Sequence, residues 1–445
     1  MAGDAWARPT SSIPHSEAPS RSLRLRLRTN VSETQLRVFH EALRRYGDLS
    51  ARPPADWFDA FDRLRMLLET DSVTRMSEGR RVIFLDEFPW FATKRSDFFV
   101  ASADFWNAWA SKQSDIMVIV CGSSTSWFIK YLFKNTGSMY NRLTRCLYVE
   151  PFTLHEVELM ASALDLGWSR QTILEAYLVF GGLPYHFDLM DRRFSLAENI
   201  DALCFGARAP LRDEVTHLME TTLSDTPLYR ETLRILSETK AGLSRSKLVE
   251  RLGGEGGGVS RALDGLEKCG YIRRYRNSYE KGRPTIFQLI DPFLLFSLKF
   301  TEDSPIEGWS GFVGTPAYHA WRDNAFETAS LSLIPPIEAA LGIAGVSTKC
   351  FPWASSSSSP GSQVGLVIEF KDGITDLCEM RFTDTPLAID AQYEHKLQHK
   401  RDVFREESGT KNAVHLVLVS VAGIERNVCS GCLYATIDAD DLFSL

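Results

Sequence analysis

Two adjacent acids, Asp86 and Glu87, follow an unbroken run of four apolar residues at 82–85. Such a run is typical of a strand that is buried on both faces of a parallel sheet. An acid at the end of that strand can hold Mg²⁺, and a second acid can orient a water for attack on a γ-phosphate. The pattern therefore predicts a Walker B element, although any buried strand that ends in a polar turn looks the same.

Polar residues also follow the later apolar segments. Ser123 follows the run at 116–121 after one glycine, at a place where a hydroxyl could sense a γ-phosphate or could cap the next helix. Arg142, next to Asn141, precedes a short predicted strand at 145–149. That arginine could stabilise developing charge, or it could be a surface residue.

The elements that must position these residues alternate between strand and helix. Strands are predicted at 23–27, 81–87, 116–121 and 145–149, with helical periodicity between them. This alternation favours a doubly wound α/β domain.

The rest of the chain changes pattern twice. From 153 to about 220 it is helical, and from 229 to about 295 it predicts three helices and then two strands, which is the winged helix-turn-helix order. A last α/β region begins near Trp309.

The bulk composition excludes some classes of protein. The formal net charge of -7 gives no whole-chain basic field of the kind that indicates nucleic-acid binding. The 8 cysteines are scattered except for Cys429 and Cys432, which could be half of a zinc site or a redox pair but more simply are reduced thiols. We expect a cytoplasmic protein without a membrane partner, because no run approaches the roughly 20 apolar residues of a membrane helix.

Several long segments resemble prokaryotic AAA+/STAND-related ATPases of the archaeal-ATPase type. They are VIFLDEFPW, FWNAWASKQSDIMVIVCGSSTSW, NRLTRCLYVEPF, GGLPYHF and CEMRFTDTPLAID. The resemblance implies an α/β fold: an AAA+-type P-loop parallel sheet with a helical lid, a winged helix and a C-terminal restriction-endonuclease-like domain.

The implied domain boundaries follow the changes in pattern. Residues 1–22 form a disordered tail, 23–152 the AAA+-like domain, 153–225 the lid, 226–300 the winged helix and 309–445 a degenerate PD-(D/E)XK nuclease-like domain.

The resemblance implies ATP and Mg²⁺ as cofactors. Asp86 would help to hold Mg²⁺, Glu87 would polarise water, Ser123 would sense the γ-phosphate and Arg142 would stabilise charge. Pro184 of the GGLP segment would also line the nucleotide site.

The chain departs from the family because its sequence contains no Gly-Lys-Ser/Thr phosphate loop. Nucleotide binding is therefore expected to be weak or absent, and we hypothesise a truncated or mis-started reading frame. The strand at 116–121 would lose its central neighbour and present an open apolar edge. Either Leu23–Leu27 or a partner chain, which includes a second copy of this one, is expected to fill it, or else the domain is expected to fold poorly.

The nuclease-like domain also departs from its family. By resemblance Glu327 is the leading acid, Gly365 replaces the metal-binding Asp, and Glu379 is kept while Arg381 replaces the Lys. A guanidinium cannot shuttle protons, so nuclease activity is not the preferred hypothesis, although Glu369 could substitute as a ligand.

The winged helix offers a further hypothesis, a DNA-binding or protein-docking adaptor. Four basic residues surround its recognition helix and wing, and they could contact phosphates. They are Arg261, Lys268, Arg273 and Arg274.

Overall fold

The computed structural model describes residues 23–26, 32–70, 79–91, 96–122, 128, 132, 142–216, 218, 226–253, 256–276, 279, 284–301, 306–355 and 362–444. The chain divides into two compact units, residues 1–149 and 150–445.

The first unit is built on parallel strands. Among its described residues, β1 (Leu23–Arg26), β2 (Arg81–Asp86) and β3 (Ile116–Val120) pair in the order β1-β2-β3. The strands predicted at these three places are therefore confirmed. β1 pairs with β2 on the side away from β3, so it does not fill the edge that we expected to be open.

Helices supply the core beside this sheet. They are α1 (Ser32–Arg45), α2 (Trp57–Glu69), α3 (Phe88–Phe91) and α4 (Phe98–Ala108). α2 begins where the Asp56 carboxylate accepts a hydrogen bond from the Asp59 amide. Trp57 and Phe98 meet edge to face, with ring centroids 4.7 Å apart, so aromatic side chains dominate the contact between helices.

The strand predicted at 145–149 is wrong. These residues form no ladder, and Leu147, Tyr148 and Val149 are 69%, 55% and 50% exposed. A strand is stable only when a neighbour accepts its backbone hydrogen bonds. β3 pairs only with β2 among the described residues, so the described sheet offers the segment 145–149 no partner.

The second unit begins with helices: α5 (Leu154–Ala163), α6 (Arg170–Phe180), α7 (Pro184–Asp188) and α8 (Leu196–Ile200). A close backbone contact precedes α7. The Phe152 amide donates to the Gly182 carbonyl at 2.7 Å, and a Cβ on Gly182 would lie 1.9 Å from the Phe152 carbonyl oxygen. Only glycine fits there.

A small mixed region follows. Its elements are α9 (Thr226–Ser237), β4 (Leu243–Ser244), α10 (Arg245–Leu252), α11 (Gly256–Lys268), β5 (Ile272–Arg276), β6 (Thr285–Leu289) and α12 (Pro292–Phe300). The strands form an antiparallel sheet in the order β4-β6-β5. Strand β4 was not predicted, because two residues carry no periodicity.

The C-terminal region contains the larger sheet. Its elements are α13 (Pro316–Ala329), α14 (Ile334–Ala340), β7 (Thr348–Ala354), β8 (Gln363–Phe370), β9 (Ile374–Arg381), β10 (Leu387–Ala388), α15 (Ala391–Ser408), β11 (Ala413–Ser420), β12 (Ile424–Glu425), β13 (Ala435–Ile437) and α16 (Ala439–Leu442).

Its strand order is β13-β11-β9-β8-β7, antiparallel from β7 to β9 and parallel from β9 to β13. This geometry brings the ends of β8 and β9 together with α13 and α15. No helix in the described parts of the chain is long and apolar enough to cross a membrane.

Candidate functional site

Asp86 is the last residue of β2, and its surroundings tie β2 to β3. The Cys121 thiol donates to Asp86 Oδ1 at 2.8 Å. The Cys121 amide donates to the Leu85 carbonyl, and the Cys121 carbonyl accepts from the Phe88 amide. One carboxylate oxygen of Asp86 is thus engaged within the protein.

Glu87 follows in the left-handed region, with φ of 56°. Such a conformation is uncommon for a residue with a side chain and is maintained by its surroundings. The residues after Glu87 also pack closely against the backbone at Gly122, because a Cβ on Gly122 would lie 2.6 Å from Pro89 Cδ. Asp86 and Glu87 thus lie together at the carboxyl end of β2, and each of the two side chains is half-buried.

Of the other residues predicted for the nucleotide site, the structure describes Arg142 and Pro184. Ser123 is outside the described residues, as is Asn141. Arg142 is exposed and borders an apolar cavity of about 70 Å³ whose lining includes Phe88 and Val120. Pro184 is the first residue of α7, in the second unit.

A cavity of about 280 Å³ in the second unit brings together Glu327, Gly365, Glu379 and Arg381. Glu327 comes from α13, Gly365 from β8, and the other two from the end of β9. Four of the five residues that the sequence marked in the C-terminal region thus line one pocket. The fifth, Glu369, is not among the lining residues, and its Oε2 lies 3.2 Å from Lys349 Nζ.

Gly365 allows Glu327 to enter this cavity. A Cβ at position 365 would lie 2.3 Å from Glu327 Cγ and 2.9 Å from its Oε1. The Glu327 side chain therefore occupies the space in which an aspartate at 365 would stand. Glycine at 365 and the inward position of Glu327 depend on each other.

Lysines that the sequence reasoning missed pair with the carboxylates of the cavity. Lys240 Nζ lies 3.1 Å from Glu327 Oε2, and Lys400 Nζ lies 2.6 Å from Glu379 Oε2. Lys400 was detectable in principle, because it lies one turn after Lys396 on α15, the helix that follows β10. Lys240 was not, because it is 87 residues away from its partner.

Arg381 has a different setting from the lysine that it replaces. Its Nη1 lies 3.2 Å from Asp323 Oδ2, and its guanidinium lies 5.6 Å from the Tyr393 ring centroid. These partners hold the planar group in one orientation.

The described residues contain no group of three or more His, Cys, Asp or Glu side chains that could hold a metal ion. In the cavity, each glutamate has a lysine ammonium beside it. A hydrogen bond to the Glu394 carboxylate raises the pKa of the Cys429 thiol, and burial, together with the charge of the same carboxylate, raises the pKa of Cys432. Raised pKa values disfavour the thiolate that binds metals.

The four basic residues proposed for DNA differ in their surroundings. Arg261 is exposed on α11. Lys268 Nζ lies 2.8 Å from Asp264 Oδ2, and Arg274 Nε lies 2.6 Å from Glu267 Oε1. Two of the four cations are therefore already paired with acids.

Arg273 lies on the opposite face of β5 from Arg274, because side chains alternate along a strand. Its Nε donates to Gln288 Oε1 at 3.0 Å, and its guanidinium lies 5.1 Å from the Tyr275 ring centroid. Burial lowers the pKa of Arg273 to about 10. The alternation of side chains along a strand could have predicted from the sequence that Arg273 and Arg274 lie on opposite faces of β5.

The sequence matches no known protein-family model and no curated protein. The chain is similar to several solved structures, among them the following three. One is the Walker-type ATPase PABY2304 of Pyrococcus abyssi, at 16% identity over 60% of this chain and 76% of that one, with a TM-score of 0.41. Another is the ORC1 protein of Aeropyrum pernix in complex with DNA, at 16% identity over 59% and 73%, with a TM-score of 0.29.

The third is the STAND protein PH0952 of Pyrococcus horikoshii, which has a tetratricopeptide repeat sensor. Its identity is 14% over 72% of this chain and 42% of that one, with a TM-score of 0.22. The chain thus has structural neighbours among Walker-type and STAND ATPases, at a level of similarity that leaves its function to be argued from its own residues.

Proposed function

We propose that this chain is an AAA+-like ATPase relative whose nucleotide site is incomplete, so that it binds Mg-ATP only weakly. The observation that carries the proposal is the position of Asp86 and Glu87 at the end of β2, beside the end of β3. Ligands of open α/β folds bind beside the carboxyl ends of the parallel strands.

The chemistry of the edge supports half of a nucleotide site. Mg²⁺ takes oxygen ligands, and one or two carboxylates commonly share it with phosphates. Asp86, whose Oδ1 accepts from the Cys121 thiol, would provide such a carboxylate. Glu87 would orient water.

The missing half is the phosphate cradle. The dipeptide Gly-Lys occurs nowhere in the 445 residues, so no loop supplies both the backbone amides and the lysine that hold the β- and γ-phosphates. Without these donors, triphosphate binding would depend on the metal alone.

A thermal-shift titration of the full chain with Mg-ATP tests this. The weak binding that we propose corresponds to a Kd of about a millimolar. Mg-ATP at that concentration stabilises the folded protein by about 0.4 kcal/mol, which should raise Tm by about 1 °C. The shift should disappear in Asp86→Asn and when EDTA replaces Mg²⁺. A shift of several degrees would contradict the incomplete site, and a shift that survives Asp86→Asn would contradict the role of Asp86.

A second candidate function, DNA binding by the region 226–300, is favoured by one observation. The order α9, β4, α10, α11, β5, β6 supports the winged-helix interpretation, and Arg261 is exposed on α11. We expect Arg261→Ala to weaken salt-dependent duplex binding more than Arg274→Ala, because Arg274 is paired with Glu267. Equal effects, or none, would argue against this face.

A further inference from the structure

We propose that the cavity in the second unit binds a phosphate group, and that it does so without a metal ion. The proposal concerns the pocket lined by Lys396, Lys400 and Arg381, and it does not depend on the nucleotide edge of the first unit.

The balance of charge in the cavity favours an anion. Every carboxylate in its lining has a cation of its own within 3.2 Å. The pairs are Glu327 with Lys240, Glu379 with Lys400, and Asp323 with Arg381. Within each pair the positive and negative charges largely cancel. The sign of the remaining electric field in the cavity therefore depends on the side chains outside these pairs.

Lys396 is the cation left over. It lines the cavity as an exposed side chain whose ammonium lies 5.9 Å from the Tyr393 ring centroid, and it forms no ion pair with any carboxylate among the described residues. It lies four residues before Lys400 on α15, and residues four apart share one face of a helix. The two ammonium groups therefore border the same space and leave it with a net positive charge.

Arg381 adds directed donors to this face. Its contacts with Asp323 and with the Tyr393 ring orient the guanidinium. A planar guanidinium matches the geometry of phosphate oxygens better than an ammonium does. The amide side chains of Asn324 and Gln363, which also line the cavity, can donate without adding charge.

The size of the cavity limits the ligand. At about 280 Å³ it lies near the lower end of small-molecule sites, which begin at about 300 Å³. A single phosphate group fits this description, whether it is free, part of a small phosphorylated molecule, or part of a nucleic-acid backbone that passes the cavity.

A divalent cation is disfavoured at the same place. To reach Glu327 or Glu379 it would have to displace an ammonium group and then lie in a field that Lys396 already makes positive. The pocket therefore selects the opposite charge from the one that a metal-dependent nuclease site selects.

Isothermal titration calorimetry of the full chain with inorganic phosphate, in a buffer without divalent cations, tests the proposal. Lys396→Gln should weaken phosphate binding roughly tenfold, the loss expected for one charge-assisted hydrogen bond. Arg405→Gln is the matched control, since Arg405 is an exposed cation on the same helix and does not line the cavity. It removes the same charge and should leave the affinity unchanged. Unaltered circular-dichroism melts would show that both variants fold.

The proposal is overturned if phosphate does not bind, or if Lys396→Gln and Arg405→Gln weaken it equally. It is also overturned if Mg²⁺ or Mn²⁺ binds to the phosphate-free protein and Glu379→Gln abolishes that binding. A competition arm separates the sources. Displacement of phosphate by a short duplex at low salt supports a backbone phosphate as the ligand, and phosphate binding that duplex does not displace supports a free or small-molecule phosphate.

Discussion

Nζ of Lys400 lies 2.6 Å from Oε2 of Glu379, and both side chains are only 14% exposed. At this degree of enclosure, removing one partner leaves a charge that water reaches poorly. The pair is therefore a place where a single substitution has a measurable effect on the second unit.

We expect Lys400→Ala to lower the free energy of unfolding by roughly 2 kcal/mol, because the Glu379 carboxylate loses its counter-charge. Adding Glu379→Gln should restore part of the loss. Urea denaturation of the four members of this double-mutant cycle measures the coupling. As a control, Arg192→Ala breaks a pair with Asp165 in which the side chains are 64% and 80% exposed, and it should cost less than about 0.5 kcal/mol. Equal losses at the two sites would contradict the distinction.

Gly365→Ala should destabilise the protein by roughly 1–3 kcal/mol, the usual cost of overpacking. The new Cβ would lie 2.3 Å from Glu327 Cγ, so the glutamate must move. The same substitution in a Glu327→Ala background should cost much less. Gly311→Ala, at a position where a Cβ meets open space, is the control. A cost that does not change when Glu327 is truncated would show that the clash is elsewhere.

His186 should make the second unit sensitive to acid. Burial lowers the pKa of His186 to about 4, whereas the unfolded value is about 6.5. The unfolded chain therefore binds the proton more tightly, and the stability contributed by neutral His186 is lost as pH falls from 6.5 to 4.

The loss should reach an order of 3 kcal/mol, since one pKa unit is about 1.4 kcal/mol. Denaturant melts at several pH values should show a shallower loss over this interval for His186→Gln than for the wild type. If the stabilities of the two proteins fall equally with pH, His186 does not contribute to the acid sensitivity.

Asp291 should act in the opposite direction. Burial raises the pKa of Asp291 to about 6, above an unfolded value of about 3.9. The folded chain then binds the proton more tightly, so this contribution is present at low pH and is lost as pH rises through 4 to 6.

The carboxylate also caps α12 by accepting from the Leu294 amide, and asparagine can keep that bond. Asp291→Asn should therefore gain stability relative to the wild type as pH rises from 4 to 7. Denaturant melts at several pH values measure the difference in stability between Asp291→Asn and the wild type. A difference that is constant with pH would contradict the titration of Asp291 in this range.

The strands of the first unit illustrate what periodicity can predict. β2 and β3 were predicted because continuous apolar runs at 82–85 and 116–120 are typical of strands in a parallel sheet. β2 is largely buried, whereas β3 is mostly half-buried and its Ile119 is 39% exposed. The strand expected at 145–149 had similar local residues but no neighbouring strand among the described residues. Strand formation depends on a partner that is distant in sequence, so local pattern cannot decide it.

The cavity shows the same limit for a site. Resemblance marked Glu327, Gly365, Glu379 and Arg381, which share one pocket. The charge of that pocket could not be predicted, because it depends on Lys240, which comes from the joint between α9 and β4, and on Lys400 from α15. Contacts between regions so far apart arise only when the elements pack.

The contact between Gly182 and Phe152 has a consequence for comparing sequences. A side chain at 182 would overlap a backbone atom, which no choice of rotamer can avoid. Genes that encode this arrangement should therefore keep glycine there even after their other positions have diverged beyond alignment. Position 182 thus offers a fixed reference point for recognising distant homologues.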